Sequence, residues 1–250
     1  MKRSIKNRTL MIFIFVILCA MSNQGFGQKH LQLHIALAGM FPNSDDLDNF
    51  TTTYNTLNQN YLARHLDGLS PTVGWRWGAG YRHFDKFNYA LMIGMYQVGS
   101  EDQARFANGE RREFKLYISS PFAELDAGYF TGTYLFNGLL TFYFNKQIKL
   151  ETDYVTFDPE DRPLDGIYRG QVNLTVDMGA KVGMIKYPFL ITALISFPVY
   201  SSHEGTALSN GTNEFPGDYF SYVGKGEYPG LSADIDGFKI FVTLGYLFQF

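Results

Sequence analysis

The chain closes on FKIFVTLGYLFQF, residues 238–250. Every second residue, from Phe238 through Ile240, Val242, Leu244, Tyr246 and Phe248 to Phe250, is apolar. The alternate positions, Gly237, Lys239, Phe241, Thr243, Gly245, Leu247 and Gln249, are mixed. Successive side chains of a strand point to opposite faces, so this segment reads as a strand with one wholly apolar side.

The same alternation recurs upstream. Residues 30–41, HLQLHIALAGMF, set Leu31, Leu33, Ile35 and Leu37 against Gln32, His34, Ala36 and Ala38. Residues 72–82, TVGWRWGAGYR, set Val73, Trp75, Trp77, Ala79 and Tyr81 against Thr72, Gly74, Arg76, Gly78, Gly80 and Arg82. Between 168 and 184 the apolar set is Tyr168, Val172, Leu174, Val176, Met178, Ala180, Val182 and Met184. An ordinary strand runs to about five or six residues, whereas a tilted membrane strand needs about nine to eleven. No stretch after the first 27 residues holds 18 consecutive apolar residues, so strands and not helices are the candidate membrane elements.

Eight strands follow from the pattern: 29–41, 70–84, 88–98, 127–144, 147–157, 167–186, 189–201 and 232–250. The connections 85–87, 145–146 and 187–188 are tight, while 42–69, 99–126, 158–166 and 202–231 are long. An even strand count, short turns at one end and long loops at the other describe a transmembrane β-barrel. Closure is also the only way for a sheet to leave no unpaired backbone edge in lipid. The expected fold is therefore all-β, a transmembrane antiparallel up-and-down barrel of eight strands with both termini periplasmic. RREFKLYISS, 111–120, alternates as well, and with 122–131 as its partner the count would be ten.

Composition agrees. Of 250 residues 46% are apolar, 17% are aromatic and 25 are Gly, while the mean hydropathy is slightly negative. The first residues carry Lys2, Arg3, Lys6 and Arg8, then the apolar run LMIFIFVILCAM at 10–21, then Gly25-Phe26-Gly27 before Gln28. This is the layout of a cleaved secretory leader over 1–27, with the barrel as 28–250. Cys19 follows Leu18, where a lipoprotein signal wants a small residue. Removing the leader takes four of the 21 basic residues and none of the 24 acidic ones, leaving a net charge of −7. It also takes the only cysteine, which excludes disulfides and thiol chemistry from the rest. No basic patch points to nucleic acid.

The closing strand, through Phe250, Phe248, Tyr246, Leu244 and Val242, resembles the carboxyl-terminal signal of bacterial outer-membrane β-barrels. The resemblance implies that barrel-assembly machinery reads Tyr246, Phe248 and Phe250, and that outer-membrane lipid surrounds the product. It identifies a class and no individual member.

The polar faces carry His34, Arg76, Arg82, Lys149, Glu151, Asp153, Arg169, Asp177, Lys181 and Lys239, expected to pair inside a barrel just wide enough for side chains to fill. In the first outer loop, Ser44 is an N-cap, Asp45, Asp46 and Asp48 suit a helix start, and Leu47, Phe50, Tyr54, Leu57 and Tyr61 form one stripe of an amphipathic helix. That stripe is either a lid on the barrel mouth or a docking face for a partner. The last loop offers Phe215, Tyr219, Phe220, Tyr222 and Tyr228, as a partner-binding set or as the loop's own small core. Asp158, Glu160, Asp161 and Asp165 cluster in the third loop, but DPEDRPLDG lacks the EF-hand register, and no metal or cofactor is expected.

The expected role is non-enzymatic: an accessory membrane subunit that presents its outer loops to another membrane protein or a surface ligand. A narrow channel and a lipid-modifying enzyme are the alternatives. Ser201, Ser202, His203 and Glu204 invite the second, although no nucleophile motif surrounds them.

Overall fold

Alternation over long stretches produces long strands. The computed structural model describes residues 28–155, 164–202, 207–211, 215 and 231–250. The expected leader, 1–27, lies outside them. The elements are β1 Gln28–Asn43, α1 Asp45–Asn58, β2 Leu62–Arg64, β3 Thr72–Phe84, β4 Phe87–Phe106, β5 Arg111–Phe130, β6 Tyr134–Val155, β7 Gly166–Lys186, β8 Phe189–Ser201 and β9 Asp236–Gln249. Eight of the nine strands close a ring, β1–β3–β4–β5–β6–β7–β8–β9 and back to β1, with every pairing antiparallel. β2 is an annex on the far end of β4.

The cylinder is apolar outside. Leu33, Ile35, Trp75, Trp77, Ile93, Phe136, Leu140, Ile191, Ile195, Val242 and Leu244 all face outward and are exposed. Two aromatic girdles flank this band, one with Phe41, Trp75, Phe144, Tyr200 and Phe238, the other with Phe87, Tyr129, Tyr134, Phe189, Tyr246 and Phe248. An apolar band between aromatic girdles, around a lumen of buried charges, is a transmembrane barrel. Both ends of the ring lie at one end of it, since His30 pairs with Gln249. The turns at 85–86, 131–133 and 187–188 are at this turn end, and α1 is at the opposite loop end.

Eight strands are present, but not all the expected ones. The span 99–126 is not a loop: β4 and β5 run through it as a hairpin with a four-residue turn at 107–110, paired from Phe87↔Tyr129 to Arg105↔Arg111. The tight turn expected at 145–146 does not exist either, and β6 passes straight through it. What Asn145 supplies is an irregularity with φ of 47°. Tyr143 and Lys146 both face the lumen, so inward parity shifts from odd to even numbers there, and β7 shifts beside it at Asn173 and Leu174.

The strands differ in height. β1, β3, β8 and β9 have 13 to 16 residues, whereas β4 to β7 have 20 to 22. At about 3.3 Å per residue and a tilt of roughly 40°, the long strands rise about 50 Å, roughly twice a 25 Å apolar band. They form a four-stranded wall that stands clear of the band at the loop end.

Candidate functional site

Among the described residues, charged side chains gather in two regions, the lumen and the wall. In the lumen Arg82 donates to Gln32 at 2.7 Å, to Asn88 at 3.2 Å and to Asp126 at 2.7 Å. Lys181 bridges Asp126 and Glu124, and Arg76 pairs with Glu124. Asn137 donates to Asp126 and exchanges hydrogen bonds with Asn88. Nearer the loop end Lys239 pairs with Asp177 at 2.8 Å, and Ser196 donates to the same carboxylate at 3.2 Å. Lys146 holds Asp236 at 2.6 Å. Arg76 lies between the rings of Phe122 and Phe241, 3.8 and 4.9 Å from their centroids. A small apolar layer of Phe84, Leu135, Leu190 and Leu247 closes the turn end.

Burying a charge is costly unless it is paired and hydrogen-bonded, and each of these cations has a carboxylate. Of the residues expected here, His34, Arg76, Arg82, Asp177, Lys181 and Lys239 face the lumen. Lys149, Glu151, Asp153 and Arg169 do not: they project outward from the wall, because the irregularities at Asn145 and Asn173 reverse the parity above them. Glu124 and Asp126, the anions at the centre of the network, were hidden in a segment read as loop. Continuing the alternation of 111–120 through Pro121 would have found them.

The wall has two faces. Its inner face is apolar, with Phe114, Leu116, Ile118, Leu150 and Val172 buried. α1 packs against it and is capped as its sequence predicts, with Ser44 Oγ accepting from the Leu47 N–H at 3.3 Å. Phe50 meets Phe114 edge to face, ring centroids 5.2 Å apart, and Phe215 at 5.3 Å. Tyr54 meets Phe114 at 5.7 Å, and Tyr168 meets Phe215 at 4.6 Å. The return segment is pinned, with Asn55 exchanging two hydrogen bonds with the Leu66 backbone, the Gly68 N–H donating to Asp102 and Ser100 donating to the Leu69 carbonyl.

The stripe is therefore a lid core. Leu47, Phe50, Tyr54 and Phe215 are buried and offer a partner no surface in this conformation, and Leu57 packs against the same cluster. Tyr61 is exposed at 67%, because α1 stops at Asn58 and β2 begins at Leu62. Tyr219, Phe220, Tyr222 and Tyr228 lie outside the described residues, as do Asp158, Glu160, Asp161, His203 and Glu204. Asp165 pairs with Arg112 at 2.8 Å. Ser201 donates to Asp234 at 2.7 Å, and Ser202 Oγ accepts from the Leu174 N–H.

The wall's outward face is polar and holds two clefts. One, of about 500 Å³, is lined by Glu113, Lys115, Glu151, Thr152, Asp153, Asp165, Gly166 and Ile167. The other, of about 250 Å³, is lined by Arg64, Glu101, Asp102, Gln103, Glu113, Phe114 and Lys115. Glu113 and Lys115 belong to both, so the two clefts share a ridge on β5.

No family model matches the sequence, and no curated protein is similar to it. Among solved structures, the chain is similar to the crystal structure of Ail, the attachment invasion locus protein of Yersinia pestis, in complex with the heparin analogue sucrose octasulfate. The identity is 11% and the TM-score 0.39, over 89% of this chain and 99% of that one. It is also similar to the outer membrane protease OmpT of Escherichia coli, at 10% identity and a TM-score of 0.41, over 90% of this chain and 96% of that one. At these values neither protein's ligand nor its activity transfers.

Proposed function

We propose that this chain is a non-enzymatic bacterial outer-membrane barrel whose loop end faces outward and whose wall presents a recognition surface to a partner protein or surface ligand. One contrast carries the reading. The lumen is filled by paired charges and capped by α1, whereas β4 to β7 continue above the apolar band with a folded, charged and cleft-bearing outward face. Conduction needs an open path, and the buried side chains across the lumen oppose one. The surface set moves accordingly, from the helix stripe to the ridge of Glu113 and Lys115 between the two clefts. In this orientation both termini are periplasmic.

Co-purification from native membranes in mild detergent tests it. The expected result is a stoichiometric companion that is lost when Glu113 and Lys115 are both replaced by Ala. A barrel that always extracts alone overturns the partner reading. The enzyme reading has less support, since the Ser201 hydroxyl is spent on Asp234. Replacing His203 with Ala and comparing membrane lipids by mass spectrometry decides it, an unchanged lipid profile removing the enzyme.

A further inference from the structure

The outward face of the wall is ordered in rows. Just above Phe144 and Leu174, the last apolar pair of β6 and β7, lies a polar row, Gln97, Ser119, Gln147 and Gln171, joined by cross-strand register. The amides of Gln147 and Gln171 bond each other at 3.0 Å. The next row is Gly99, Tyr117, Lys149 and Arg169, and its only charges are positive. Acidic residues begin one row higher, with Glu101 and Glu151.

Lys149 and Arg169 are direct cross-strand partners with both side chains outward. Such partners have Cβ atoms about 5 Å apart, and like charges so placed are destabilising. The Lys149 ammonium leans to the β5 side, 5.0 Å from the Tyr117 ring centroid, and reaches up to Glu151. Arg169 makes no ion pair among the described residues.

We infer that this pair binds the phosphate of an anionic lipid headgroup in the adjoining leaflet. The headgroup zone is roughly 5–8 Å deep on each side of the hydrocarbon, and one row of the wall rises about 5 Å along the membrane normal, from 3.3 Å per residue and the strand tilt. The cationic row therefore stands at or just above the zone, and Lys and Arg stems can reach back toward it. Arg offers a planar fork that matches phosphate, Lys offers a point charge beside it, and the Gln row below supplies neutral donors. A phosphate between the two cations removes their repulsion, which a neutral partner would not.

The test uses the full barrel in detergent micelles, with native mass spectrometry of phosphatidic acid against phosphatidylcholine as probes. The wild type is expected to hold phosphatidic acid at least tenfold more tightly than phosphatidylcholine. The double variant Lys149→Gln/Arg169→Gln should lose at least tenfold of that affinity, while Lys149→Arg/Arg169→Lys retains it. Arg105→Gln, three rows higher on β4, should leave it within twofold. Without lipid the Gln double variant should melt at the same temperature as the wild type or higher, which also shows that it folds. Retention of phosphatidic acid within twofold by the Gln double variant overturns the site. Equal wild-type affinity for phosphatidylcholine also overturns it, as a general lipid annulus would give. Equal stabilisation by millimolar inorganic phosphate overturns the lipid assignment in favour of a free anion.

Discussion

His34 and Phe122 stack at 6.2 Å between ring centroids, with 25° between their planes, although two strands separate them. The register explains it. His34 pairs with Gly78, Gly78 with Gly94, and Gly94 with Phe122, so two large rings lean toward each other over two residues without side chains. Phe122 in turn carries the Arg76 guanidinium, which holds Glu124. The glycine pair is thus the floor on which the lumen network is assembled.

Replacing Gly94 with Ala should weaken that floor. A Cβ there would sit 2.0 Å from the Trp77 carbonyl oxygen and 2.9 Å from Phe122 Cε1, so backbone and ring must both move. Overpacking of this kind costs about 1–3 kcal/mol. Denaturant unfolding in micelles, followed by the fluorescence of Trp75 and Trp77, should show the loss, and an unchanged midpoint would refute the account.

Asp126→Ala should be worse. It strips Arg82 and Lys181 of a carboxylate in a fully buried site, and removing one partner of a buried pair costs about 3–5 kcal/mol. Arg82→Met combined with Asp126→Leu should recover most of this, because Lys181 keeps Glu124 and apolar side chains of similar volume replace the pair. A double variant as unstable as the single one would show that the network is needed as a whole.

The class of the fold was legible because one rule, apolar outward, governs every strand within the band. Above the band the rule inverts. Phe114, Leu116 and Ile118 point inward to the lid, while Leu125 and Tyr129 on the same strand point outward. A strand whose apolar face changes sides midway resembles no single strand, and so β5 was broken into a loop and a fragment. In β6 and β7 the opposite happened. The irregularities at Asn145 and Asn173 reverse the parity at the height where the rule inverts, so one unbroken set of even-numbered apolar residues covers two faces. The same reversal puts Lys149, Glu151, Asp153 and Arg169 outside, while Arg76 and Arg82, on a strand that ends at the band, face inward as expected.

If α1 is a lid core, Phe50→Ala should loosen the loop end and spare the barrel. Truncating a buried Phe costs about 3–5 kcal/mol, and the lost contacts are with Phe114 and Phe215, both above the band. Amide hydrogen exchange should show α1 losing protection roughly a hundredfold or more, with β9 amides unchanged. Equal loss in both would mean that lid and barrel unfold as one unit.

The height of the band can be mapped by single charges. Val242 lies between the two girdles on β9 and faces lipid at 54% exposure. Arginine there should cost about 2–4 kcal/mol in a bilayer, and the same substitution near an interface about 0–1 kcal/mol. Gln147 sits just beyond Phe144, on the first polar row, so Gln147→Arg should fall in the lower range although β6 runs through both regions without a break. Equilibrium folding into lipid vesicles measures both variants. Equal penalties would place Gln147 inside the hydrocarbon, and with it would move the cationic row of Lys149 and Arg169 down from the headgroups.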